Sequence, residues 1–132
     1  MDLKSAAQGI RTYAKSAATA FDGQAQKLAD AARERPNTID VTQDFEAFMT
    51  ARAMWLIYSE AINVSIDGNS PLDDAKLVDR IQDKRRSLDG WLRQAKTMQS
   101  GLYAVHQHLT TEAVKRFLSD TYFVDDLDEE QK

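Results

Sequence analysis

The side chains that could hold a metal or move a proton are two histidines, 21 carboxylates and no cysteine. His106 and His108 are two residues apart. On a helix they point about 200° away from each other, so one metal could not take both. A helical zinc pair needs i, i+4 spacing, and neither His-Glu-x-x-His nor Glu-x-x-His occurs. The absence of cysteine excludes disulfides, thiolate zinc sites, iron–sulfur clusters and cysteine nucleophiles. Asp67-Gly68-Asn69 opens like a calcium loop. Such a loop needs a ligand at position 5, glycine at 6 and glutamate at 12. Pro71, Leu72 and Val78 stand there, so a helix cap is the better reading. No phosphate-cradling glycine loop and no Gly-x-Ser-x-Gly elbow is present. Asp73-Asp74 lies at an expected helix start, where acids offset the dipole. Glu60 falls on a polar edge with Arg52, Ser59 and Asn63, which makes it a surface residue. These readings assign no catalytic residue, no metal ligand and no cofactor. A ligand-binding or enzymatic bundle with a pocket near Trp55, Trp91 and Glu60 is a further alternative.

Lys84-Arg85-Arg86, with Arg93 and Lys96, is the only basic cluster. Consecutive residues fan out around a helix, so only Arg86, Arg93 and Lys96 share a side. Asp79, Asp83 and Asp89 dilute their field. A nucleic-acid-associated regulator using those three bases is therefore the alternative reading, not the leading one. The formal net charge of −4 supports that order. The last eight residues hold five acids and one base, so the first 124 are neutral.

The elements that must position any site are helical. Leu3, Ala7, Ile10, Ala14, Ala17, Phe21, Gln24, Leu28 and Ala31 follow alternating steps of four and three. That predicts one helix from residue 3 to about 33. Its alanines predict close helix approach, and Gly9 and Gly23 are places for it to bend. Arg35-Pro36-Asn37 interrupts the pattern. A second helix, capped by Asp40 or Thr42 with Gln43 in capping-box position, is expected to reach about Ile66. Phe45, Phe48, Met49, Trp55, Leu56, Ile57, Ile62 and Ile66 wrap much of its circumference, which predicts a central helix buried on more than one side. Gly68 fits the C′ position of that helix. Ser70 then fits the N-cap of the next, with Pro71 at N1 and Asp73 at N3.

The third helix is expected from Pro71 to about Leu109, along Leu77, Ile81, Lys84, Leu88, Trp91, Ala95, Met98, Leu102, Val105 and Leu109. Unbroken, it would be ~58 Å long. Gly90 and Ser100-Gly101 are its expected bends or breaks. A short fourth helix capped by Thr110 or Thr111 places Ala113, Val114, Phe117 and Leu118 on one face. Tyr122-Phe123-Val124 forms a last apolar patch. No stretch alternates like a strand.

The segment from Asp40 to Asn69, with Arg52-Ala53-Met54-Trp55 and then Asn69-Ser70-Pro71-Leu72, resembles the FlaF-type flagellin-synthesis regulators over about a quarter of the chain. The spacing after Trp55 departs from their pattern, so the resemblance lends no residue role and no activity.

Together these features predict an all-α antiparallel bundle of three long helices plus a short C-terminal helix, with coiled-coil-like seams. Residues 1–124 form one domain and 125–132 an acidic disordered tail. The helix within 1–35 is expected to dock on a partner or to swap between protomers. The expected function is a non-catalytic protein–protein interaction module: an assembly factor, an export or secretion chaperone, or a small structural subunit of a larger complex. Leu3, Ile10, Phe21 and Leu28 are its expected contact residues, with Tyr122 and Phe123 as a second surface. The partner is another protein chain, a second copy included. The start has no basic stretch followed by an apolar run, and the longest apolar run, Ala53 to Tyr58, is too short to span a bilayer. A cytoplasmic location is expected, with signal-less export open.

Overall fold

The computed structural model describes residues 1–34, 40–95 and 104–127. It is an all-α bundle: α1 (Leu3–Glu34), α2 (Asp40–Ile62), α3 (Asp74–Ala95) and α4 (Ala104–Asp120), closed by a 3₁₀ turn (Tyr122–Asp126). No strand occurs among the described residues.

Asp2 starts α1. Its Oδ1 accepts a hydrogen bond from Ser5 N at 2.7 Å, and its carbonyl takes the first helical bond, from Ala6 N. The Ser5 N–H holds the Asp2 carboxyl below its ordinary pKa. The cap is therefore complete above the usual carboxylate range and is lost as pH falls through the lowered value. The predicted seam is the buried face. Ala7, Ile10, Ala14, Ala17 and Ala31 are buried, and Leu3, Phe21, Gln24 and Leu28 are half-buried. Gly9 and Gly23 interrupt nothing, and α1 is continuous.

The helices run alternately up and down. Phe21 of α1 stacks on Trp55 of α2, with ring centroids 5.1 Å apart, and tilts against Phe48. Lys84 of α3 reaches Glu60 of α2 at 2.9 Å. Phe117 of α4 meets Tyr58 of α2 edge-on at 5.2 Å. As predicted, α2 is the helix the others cover. Ile57, Tyr58, Ala61 and Ile62 are buried, joined by Ile10, Leu77, Ile81, Val114 and Phe117 in one core. The neighbours that α1 needs, α2 and α3, are supplied by its own chain.

The turn after α2 differs from the sequence expectation. The helix stops at Ile62, a turn before Ile66, which is exposed. Asn63, at φ 56°, takes the left-handed position, and its N–H closes on Ser59 O at 2.9 Å. Asparagine tolerates that conformation, so the C′ role falls to Asn63 and not to Gly68. Gly68 has its own positive φ of 84° and meets α1, where an added Cβ would lie 2.9 Å from Lys15 Cα. Ser70 does not cap α3. Its hydroxyl donates to Ile62 O and accepts from Leu72 N at 3.3 Å, tying the loop to the end of α2. Asp73 is the cap of α3: Oδ1 accepts from Lys76 N at 2.9 Å, and its carbonyl takes the bond from Leu77 N. The helix thus begins three residues later than Pro71.

The third and fourth helices also divide differently. Gly90 leaves α3 unbroken; its absent Cβ would meet nothing, so it costs only helix propensity. α3 ends at Ala95 and α4 begins at Ala104, so the helix does not run through to Leu109. α4 returns along α3. Thr110 and Thr111 lie inside α4, so neither stands at its start. Leu109, Ala113 and Phe117 continue one apolar stripe that draws the helix start upstream. The folded part extends past residue 124: Val124 and Leu127 belong to the core. Residues 128–132 of the acidic tail, and the Met98, Leu102 and Ser100-Gly101 readings, lie outside the described residues.

Gly68→Ala should destabilise the fold by about 1–3 kcal/mol, because it combines a disfavoured φ with a backbone clash against Lys15. Urea unfolding checks this, and an unchanged midpoint would contradict it.

Candidate interaction surface

Each predicted contact residue now has a place. Ile10 is fully buried in the chain's own core. Phe21 is stacked between Phe48 and Trp55, and Leu3 packs against the core edge. Leu28 is half-buried toward the far end of α1. The structure does not bring these four together as a free surface. It does bring Tyr122 and Phe123 together with Tyr13, a residue the sequence reading did not single out. Phe123 stacks on Tyr13 at 6.3 Å, and Tyr122 stands edge-on to Phe123 at 6.5 Å. Tyr13 is 39% exposed and Tyr122 62%. Tyr13 flanks the apolar seam of α1, about 60° round the helix from its centre, and no step of the four-three register falls on it.

This aromatic ladder is built by two long-range devices. The first is a missing side chain. A Cβ on Gly9 would lie 2.8 Å from the tip of the Phe123 ring, so glycine lets that ring rest on α1. The second is Arg85. From α3 its Nη1 donates to Leu118 O at 2.6 Å and to Thr121 Oγ1 at 2.9 Å, while Nη2 donates to Asp125 at 3.1 Å. A guanidinium here fills the carbonyl positions that the end of α4 leaves open. Thr121, fully buried, returns its own hydroxyl to Phe117 O at 2.7 Å. Gln82 holds Val124 O at 3.0 Å. The chain beyond α4 is thereby fixed across the bundle.

Arg85 therefore leaves the basic cluster for a structural task. Of the nucleic-acid candidates, Arg86 pairs with Asp83, and Arg93 pairs with Asp89 at 2.7 Å. Lys96 lies outside the described residues, as do the side chains of His106 and His108. Among the described residues no three potential metal ligands gather. Glu60 is exposed and paired with Lys84, as the polar-edge reading expected.

Two of the concavities among the described residues are lined by three helices each. One, of about 330 Å³, lies between α2, α3 and α4 beside Trp91 and Glu60. Trp55 does not line it; its Nε1 faces Ser65 O at 3.4 Å. The other, of about 500 Å³, lies between α1, α2 and α4. Tyr58 lines it, 1% exposed, and its hydroxyl has no hydrogen-bond partner among the described residues. Burial first, and the Asp120 carboxylate second, push its ionisation above the usual tyrosine range, so the phenol stays a proton donor.

No protein family, no curated protein and no solved structure matches the chain. No helix among the described residues is long and apolar enough to cross a membrane.

Two outcomes follow. Tyr58→Phe removes a buried donor without a partner and should stabilise the protein by about 1 kcal/mol; a lower melting temperature would contradict this. Arg85→Met breaks a half-buried clasp and should cost about 2–3 kcal/mol, with hydrogen exchange rising first in residues 118–127.

Proposed function

We propose that this chain is a non-catalytic protein–protein interaction module, of the kind that serves as an assembly factor, an export chaperone or a small structural subunit. The observation that supports this reading is the Tyr13–Phe123–Tyr122 ladder. Exposed tyrosines backed by a fixed scaffold are the side chains that anchor protein interfaces. They bury large area at low entropic cost. Nothing inside the bundle requires Tyr122 to face outward, whereas Val124 and Leu127 beside it are drawn into the core.

The predicted seam residues of α1 enter this reading as support. Ile10 and Phe21 hold α1 in place, and α1 in turn presents Tyr13. The candidate partner surface is thus the second of the two the sequence suggested, enlarged by Tyr13. Its occupant is another protein chain, a second copy included. The nucleic-acid alternative gains no support, because Arg86 and Arg93 are matched by acids on the same helix.

The test is affinity capture from the native host with mass spectrometry, run in parallel on the native protein and on Tyr13→Ser/Tyr122→Ser. A specific protein retained by the first and lost from the second is expected, together with unchanged melting of the variant. Light scattering covers the self-association case. Equal capture by both proteins, or a monomer that captures nothing, would overturn the reading. Gly9→Ala is a subtler probe. Alanine gains about 1 kcal/mol of helix propensity, yet its Cβ expels Phe123. No net stabilisation and a loss of capture are expected.

A further inference from the structure

We infer that the groove between α1, α2 and α4 is a binding site for a small, uncharged, mostly apolar molecule that carries one hydrogen-bond acceptor. The groove shares Tyr13 with the aromatic ladder, but the inference rests on Tyr58 and the alanine walls and not on the function proposed above.

Three observations lead there. The groove holds about 500 Å³, within the range of ~300–1,000 Å³ typical of ligand pockets. Its walls come from three helices and are shallow because Ala17, Ala20, Ala47, Ala51 and Ala113 line them. Alanines at these positions leave open space that larger side chains would fill. Ser16, Gln24 and Thr50 add polar atoms to this mostly apolar lining, and Tyr58 beside them has its hydroxyl buried and without a hydrogen-bond partner among the described residues. A buried donor left unsatisfied works against stability, so a fold that keeps one at a cavity wall has the signature of a site waiting for an acceptor.

The rim settles the charge of the ligand. Arg116 and Asp120 flank the groove, face each other at 3.8 Å and cancel in charge. An anion would meet Asp120 and a cation Arg116; a neutral acceptor such as a ketone, ester or amide carbonyl meets neither penalty. The Arg116 side chain is 77% exposed and joined to Asp120 only at that long distance, so it can swing aside and uncover the phenol.

The probe for the test is 6-propionyl-2-dimethylaminonaphthalene, a neutral naphthyl ketone whose emission reports both polarity and hydrogen bonding to its carbonyl. Titrated into the full chain, it should bind saturably. Ala51→Leu fills the groove wall and should abolish that binding. Ala20→Leu, at the exposed rim of α1, should weaken it about tenfold while leaving the core packing untouched. Tyr58→Phe should weaken it by roughly three- to tenfold and shift the bound emission to the blue. Absence of saturable binding would overturn the inference, as would binding that ignores both alanine variants. Full affinity with unshifted emission in Tyr58→Phe would overturn the assignment of the phenol and of the ligand class.

Discussion

The structure is organised around a helix that needs cover on several sides. Apolar residues recur around most of the circumference of α2, leaving a polar edge at Arg52 and Glu60, so a single neighbour could not cover it. Each fully buried apolar side chain stabilises the fold by about 1.5–3 kcal/mol, and that gain is available only if helices approach α2 from several directions. α1 supplies an alanine-rich face that lets it lie close. α3 supplies Leu77 and Ile81, and α4 supplies Val114 and Phe117. The alternating up-and-down path is the short-loop solution to that demand. The grooves are its by-product. α1 and α4 both lean on α2, and small residues leave space between them.

Covering α2 would leave the end of the chain loose without a second, polar constraint. Arg85 provides it by engaging a helix-end carbonyl, a buried hydroxyl and a carboxylate at once. Both Nη atoms of this half-buried guanidinium are hydrogen-bonded, although its Nε has no partner among the described residues, and removing such a group costs more than an exposed ion pair would. With the end of α4 fixed, Val124 and Leu127 enter the core and Phe123 is directed onto the bare backbone at Gly9. An apolar requirement thus sets the bundle, a polar clasp sets its last corner, and the exposed aromatic ladder exists because both hold.

Two residues show how local chemistry and tertiary demand compete in the connection between α2 and α3. Ser70-Pro71 has the composition of a helix start, yet Ser70 is taken up by the carbonyl of Ile62 and the start moves to Asp73. Asn63 and Gly68 both have positive φ. One ends a helix, whereas the other admits the backbone of α1 at Lys15, a neighbour 53 positions away in the chain. Sequence spacing identifies such residues as special without saying which task each performs.

The sequence by itself determined the helical class, the buried stripe of α1 and the many-sided burial of α2. Periodicity of apolar residues is a local property that the backbone converts directly into faces. It also placed Glu60 on a polar edge and marked Tyr122-Phe123 as an apolar patch. Only the tertiary structure decided that Ile10 and Phe21 are consumed within the chain, that Arg85 leaves its neighbouring bases to clasp α4, and that Tyr13 joins Phe123. It alone decided that the Tyr58 hydroxyl is buried at a groove wall without a partner among the described residues. Those outcomes depend on which surfaces meet across long stretches of chain, and a periodic pattern reads the same whether its partner is a neighbouring helix or another molecule.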